Sequence, residues 1–308
     1  MANNPTPINY ASRDEFIQSG VFFYSVKNPE LSQEMFANYW RDIHGPLASR
    51  LPGLGYYVQQ HYSAERVPHL WPEGVKRMDL ELSGMAEIGF ANSENQARFI
   101  DESPVLFGDE FNAFACTVAY NLSPASRTLV DREPTGIPNG PSKFHTLHLY
   151  LNGGGAKEFR SWVPKFAQQL ADSSAVQRLR LHLPPPYDNA HPAPPSPGVD
   201  HHAGDEQIDV AIIEISFESA LSARLFFETK EFKATLDGQS KNIRSLGVYF
   251  VSGVYTYVRD GKLTTAGLRG SRSAELINQI GATNQIQENV AKRFTSNFSD
   301  VNQQKKAG

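Results

Sequence analysis

One cysteine among 308 residues, Cys116, excludes an internal disulfide. The opening MANNPTPINYASRDEF also lacks the basic and apolar stretches of a secretory signal, so a reducing, cytoplasmic setting is expected. No window approaches the ~18 uninterrupted apolar residues of a membrane helix, and no membrane partner is expected. A basic surplus is missing too: 29 Lys and Arg stand against 33 Asp and Glu, for a net charge of -4. Such a chain has no overall field for a phosphate backbone, which argues against nucleic acid. There is no H-E-x-x-H, C-x-x-C, Walker loop or G-x-G-x-x-G opening a helix, so neither a metal nor a nucleotide cofactor is expected. His201-His202 with Asp205-Glu206 supplies ligand types, yet adjacent loop histidines point apart and preform no tetrahedron. Haem needs only an axial ligand such as histidine, and the nine histidines leave it open.

What is present is globular: 40% hydrophobic and 11% aromatic residues, long enough for two domains of roughly 150 residues. Periodicity predicts a strand over 21–27, a helix over 31–43, strands over 55–63 and 85–91, a helix over 93–114 and a strand over 117–122. After a polar linker the order βαββαβ recurs, with strands over 143–151, 175–183, 208–217 and 246–258 and helices over 156–172 and from 219. Glu87-Ile88-Gly89-Phe90 matches Glu214-Ile215-Ser216-Phe217, each followed by a serine helix cap, Ser93 or Ser219. Trp40 and His61 correspond similarly to Trp162 and His182. These matches imply an internal duplication, in which each half covers the other's open sheet face or curls with it into a barrel. The expected units are 1–125, a linker 126–142, a degenerate second repeat 143–262 and a C-terminal helical extension and tail 263–308. A proline-rich insertion at 184–207 is long enough to act as a lid.

Phe36, Tyr39, Trp40, His44-Gly45-Pro46-Leu47 and Pro52-Gly53, followed by a Tyr-rich strand ending His61-Tyr62, form a pattern similar to the EthD-like family of dimeric α+β barrel proteins. The resemblance covers about the first 120 residues. The second half keeps the layout but has Phe166 where His44 is expected, Ser161 at the place of Tyr39, and no Gly-Pro. The implied fold is α+β: two tandem ferredoxin-like repeats packed as an intrachain pseudo-dimeric barrel. That superfamily includes polyketide cyclases, decarboxylases, lactone isomerases, cofactor-free monooxygenases and some haem enzymes, so the fold leaves the reaction open.

Gly45-Pro46 should end the first helix, placing His44 in its last turn, where the dipole favours imidazolium and suits acid–base work; the plainer role is a carbonyl cap. Alternation puts Tyr57, Gln59 and His61 on the more polar face of their strand, a candidate pocket wall in which His61 holds an oxyanion or shares a proton with His44. The alternative for His61 is an exposed strand end. His182 shares a face with Arg178 and Arg180, read as a solvated edge rather than a carboxylate site. Trp40 suits packing, while Tyr39 is the better site candidate despite its rotation from His44. Glu87 and Glu214 are matched acids in apolar strands, read first as a structural pair and second as a catalytic one. His145 and His148 point to opposite faces, so at most one of them lines a pocket.

The expected protein is a cofactor-independent enzyme performing a decarboxylation, elimination, isomerisation or cyclisation on a hydrophobic aromatic or polyketide-like small molecule. His44, His61 and Tyr39 are the expected catalytic groups, and Tyr57, Gln59, Phe23, Trp40, Trp71, His69 and Glu87 the expected substrate contacts. Rival expectations are a cofactor-free oxygenase, a haem enzyme and a non-catalytic binding protein. Association into a homodimer is left open.

Overall fold

Period-two alternation in β1 (Ser19–Lys27) sorts its side chains between two environments. Phe22 and Tyr24 enter a core shared with the C-terminal half, whereas Val21, Phe23 and Ser25 face the helices of their own half. The computed structural model describes residues 16–63, 72–78, 80–132 and 136–295, so His69 and Trp71 lie outside the described residues. Further long strands are β2 (Leu54–Tyr62), β3 (Gly84–Phe90), β4 (Phe114–Leu122), β5 (Arg127–Asp131), β6 (His145–Asn152), β7 (Val176–His182), β8 (Val210–Phe217) and β9 (Ser245–Arg259). With three two-residue pieces they form a 12-stranded sheet in the order β4-β1-β3-β2-β9-β6-β8-β7-β5, antiparallel along that path. The fourth, first, third and second strands of the N-terminal half thus stand side by side, and β9, β6, β8 and β7 repeat that order. β2 and β9 join the halves.

The chain is therefore an α+β protein with a large antiparallel sheet, its inner faces packed together and its helices outside. The N-terminal helices α1 (Gln33–Tyr39), α2 (Gly45–Ala48), α3 (Ser93–Glu102) and α4 (Phe107–Ala113) cover one half. On the other half, α5 (Phe159–Ala171) and α6 (Ala220–Glu228) press Phe159, Phe166 and Phe226 against the sheet, so Phe166, the residue expected to match His44, is part of the core.

Several expectations are corrected. The helix expected over 93–114 is split by Pro104 into α3, a 3-10 turn (Ser103–Leu106) and α4. The stretch expected as linker, 126–142, contains β5, which pairs with β7 and removes the expected edge there. Arg178 and Arg180 accordingly face acids, Asp131 at 3.2 Å and Glu87 at 2.7 Å, rather than solvent. The proline-rich insertion lies along the outer side of β4 rather than hanging as a free lid. Thr117 N donates to Asp200 O at 2.9 Å, Ala119 N to Ala193 O at 2.9 Å and Asp200 N to Ala115 O at 3.0 Å. The C-terminal helix is two helices, α7 (Ser271–Gln279) and α8 (Glu288–Thr295), separated by Gly281 in the left-handed region (φ 66°).

Candidate active site

Ser32 caps α1, its hydroxyl accepting the Met35 N–H. The helix does not stop at Gly45-Pro46, as expected, but passes through a π turn, Trp40–His44, and resumes as α2. Gly45 has no Cβ to crowd the proline ring, keeps helical angles, and donates its N–H to Trp40 O. Pro46 has no N–H, and the hydroxyl of Tyr257 supplies a donor to the Arg41 carbonyl at 2.7 Å. A Cβ on Gly45 would lie 2.4 Å from that Tyr257 ring, so only glycine admits the contact. His44 is thus not at a helix terminus, and the expected dipole effect has no basis.

A carboxylate takes that place. His44 is 7% exposed and its Nδ1 lies 2.6 Å from Asp109 Oδ2. The other Asp109 oxygen accepts the Tyr39 hydroxyl at 2.5 Å, and Asn112 Nδ2 donates to that hydroxyl at 3.2 Å. Residues five apart diverge on an α-helix, but the longer π turn lets Tyr39 and His44 reach one acceptor. Burial alone would raise the Asp109 carboxyl. Hydrogen bonding and charge from His44, with the Tyr39 hydroxyl, outweigh it and hold Asp109 below the ordinary carboxylate range. The neighbouring Glu110 is pushed the other way, chiefly by burial, against lowering by His44 and by the hydroxyl that Ser196 donates to it.

His44 and Glu110 line a cavity of about 500 Å³ between the N-terminal sheet and its helices. Its wall is mainly apolar, with Phe23, Tyr57, Ile88, Phe99 and Phe114 among the contributors, and residues 193–195 of the insertion close one side. Its size and lining fit a small-molecule site. No hydrogen bond to His44 Nε2 is made among the described residues, so that nitrogen is left to the cavity. A larger groove of about 880 Å³ beside α5 and α6 holds no imidazole, and its acids Asp172, Glu218 and Glu231 are exposed.

The sequence-predicted residues divide. His44, Trp40, Tyr57 and Phe23 line the cavity, and Tyr39 stands outside it, tied to His44 through Asp109. Gln59 and His61 share the face of Tyr57 but sit behind Trp40. Gln59 donates to Trp40 O at 3.1 Å, and the His61 ring stacks on the indole at 4.6 Å. Burial there pushes His61 down to about 3, with the Arg41 guanidinium acting in the same direction. Glu87 is not a cavity contact: Ala86 and Ile88 face the cavity, and strand alternation turns Glu87 to the inner face. The expected match of His61 with His182 fails for the same reason. Their distances from Trp40 and Trp162 differ by one residue, which reverses the face, and His182 points inward to Glu214 at 2.7 Å.

Sequence reasoning missed Asp109 and Glu110. In the run Phe107-Gly108-Asp109-Glu110-Phe111 the aromatics look like the buried residues, yet Phe111 is 57% exposed and Glu110 only 8%.

No curated protein matches the chain. Among solved structures, a presumed monooxygenase from Fusobacterium nucleatum is similar at 6% identity, with a TM-score of 0.49 over 80% of this chain and 97% of that one. A presumed monooxygenase from Lactobacillus acidophilus has 10% identity and a TM-score of 0.43 over 79% and 97%. An anthrone oxidase-like protein has 10% identity and a TM-score of 0.46 over 78% and 93%. The family model of the EthD domain matches residues 28–104, a stretch that contains α1, the π turn with His44, β2, β3 and α3. Over residues 28–104 the chain is therefore similar to the EthD domain.

Proposed function

We propose that the protein is an enzyme that moves a proton on an apolar, aromatic or polyketide-like small molecule held beside His44. The observation that carries this reading is the His44–Asp109 pair opening on an apolar cavity of about 500 Å³. Asp109 accepts the Nδ1–H, fixes the tautomer and leaves a basic lone pair on Nε2 facing the substrate. A proton from an activated carbon or a hydroxyl passes to Nε2, Asp109 balances the imidazolium, and the proton returns to the rearranged substrate. Glu110, a carboxyl pushed above the ordinary carboxylate range chiefly by burial, lines the same cavity as His44. Tyr39 positions Asp109, and His61 holds the Trp40 wall. Decarboxylation, elimination, isomerisation and cyclisation all need this proton traffic and call on no cofactor.

We read the halves as tandem ferredoxin-like repeats, 1–125 and 143–262, forming a pseudo-dimeric barrel. The repeated strand order and the facing Glu87 and Glu214 support this. Phe166 in the core supports a second copy that walls the molecule without a site of its own.

The test is a panel of aryl ketones and polycyclic phenols in D₂O, followed by NMR for proton exchange and product and by an oxygen electrode. Exchange or turnover should fall by about 10²–10⁴ in His44→Ala, with folding retained. Oxygen uptake would assign the same base to an oxygenase reaction. Binding of the panel without exchange or product would make the protein a carrier and overturn the proposal.

A further inference from the structure

Glu87, His182 and Glu214 come from β3, β7 and β8 and meet where the inner faces of the sheet pack together. Each offers one ligand atom, and these atoms all lie within 4.8 Å of one another. All three residues are buried, at 4%, 0% and 7% exposure. We propose that they form a binding site for a first-row divalent transition-metal ion, separate from the cavity beside His44.

The carboxylate of Glu87 points to this most directly. Its Oε1 accepts from Arg180 at 2.7 Å, but its buried Oε2 has no hydrogen-bond partner among the described residues. A buried carboxylate oxygen without a donor is a costly arrangement that a cation relieves. Arg180 is itself steadied by Thr128 at 2.7 Å, so it fixes Glu87 by the oxygen the ion does not need. The imidazole of His182 is equally prepared. Its Nδ1 is held by the Ser126 hydroxyl at 2.6 Å, which turns Nε2 toward Glu214 Oε1 at 2.7 Å. Metal-binding histidines characteristically have the second ring nitrogen fixed in this way. An ion entering here replaces the proton between His182 Nε2 and Glu214, and that proton leaves to solvent.

A small cavity of about 20 Å³ borders Glu87, Ser126 and Arg180. About one water fits such a volume, beside the Glu87 carboxylate. One imidazole with two carboxylates suits Zn²⁺, Mn²⁺ or Fe²⁺ better than Mg²⁺ or Ca²⁺, which favour all-oxygen sets. His148 stands outside the set. Its Nε2 is 3.9 Å from Glu214 and engaged by Gln60 at 3.0 Å, while its Nδ1 meets the Tyr62 hydroxyl at 2.7 Å. No linear motif announces the site because each strand contributes a single ligand.

The test uses the full chain, stripped with a chelator and dialysed, then titrated with Zn²⁺ by calorimetry and with Co²⁺ by visible absorption. The expected result is one ion per chain, a Zn²⁺-dependent rise in melting temperature, and at least tenfold weaker binding in Glu87→Gln and Glu214→Gln. The double variant His191→Ala/His202→Ala, which removes exposed loop imidazoles paired with Asp188 and Asp200, should bind as the parent does. Should Glu214→Gln fail to fold, Glu87→Gln carries the comparison, since its amide oxygen still accepts from Arg180. Absence of stoichiometric binding by the parent chain, unchanged affinity in Glu87→Gln, or loss of binding in the loop variant would overturn the proposal.

Discussion

Lowering the pH from 7 to 5 should remove about 4 kcal/mol of folding stability through two buried imidazoles, His61 and His148. His61 is stacked on Trp40 and meets the Tyr255 ring edge-on at 4.9 Å, and burial pushes it down to about 3. His148 has no exposed surface, and burial pushes it down to about 4, Glu214 opposing and His182 adding to the fall. In the unfolded chain each ring titrates near ~6.5. Between that value and the folded one, the unfolded state binds a proton that the folded state refuses. The stability is thus fully present above the unfolded value and is lost as the pH falls toward the folded one. By pH 5 the unfolded chain has gained about 2 kcal/mol per histidine, a figure set almost wholly by the unfolded pKa. Asp109 and Glu214, both held low, lose stability in the same direction but chiefly at lower pH, while Glu110, held high, opposes them. Equilibrium urea unfolding at the two pH values measures the difference. His61→Gln, which removes one of the two rings, should reduce it by about half. A parent chain that loses less than about 1 kcal/mol, or a variant with the full loss, would refute the reasoning.

Gly45→Ala drives a Cβ to within 2.4 Å of the Tyr257 ring and should destabilise by about 1–3 kcal/mol in urea unfolding; an unchanged midpoint would contradict that packing. Pro46→Ala restores an N–H and favours a regular α-helix, which parts Tyr39 from His44. Stability should change by no more than about 1 kcal/mol while turnover falls at least about tenfold, and full turnover would separate the π turn from the chemistry. Ala119→Phe fills part of the cavity and should weaken binding of any panel ligand at least tenfold by calorimetry; unaltered affinity would place the ligand elsewhere.

Alternation, helical spacing and short apolar runs were enough to place β1 to β4 and the strands of the second half within a few residues. The paired Glu87 and Glu214 were visible as a repeated Glu-Ile-x-Phe, and both do turn inward. β5 was hidden because Arg127–Asp131 is short and charged at both ends, and only its pairing with β7 makes it a strand. Asp109 was hidden differently. It lies 65 residues from His44, and nothing local in a helix tells which of two adjacent acids turns inward. The π turn escaped because Gly-Pro ordinarily closes a helix, and the compensating hydroxyl of Tyr257 comes from the far end of the chain.

Residues 193–195 wall the cavity with one side, while the same insertion covers the backbone of β4 with the other. Exit of a guest through this wall would bare a strand edge, the surface on which separate chains add to one another. Occupancy and colloidal behaviour are then linked. A fitting guest should slow aggregation of this chain even where it is never turned over.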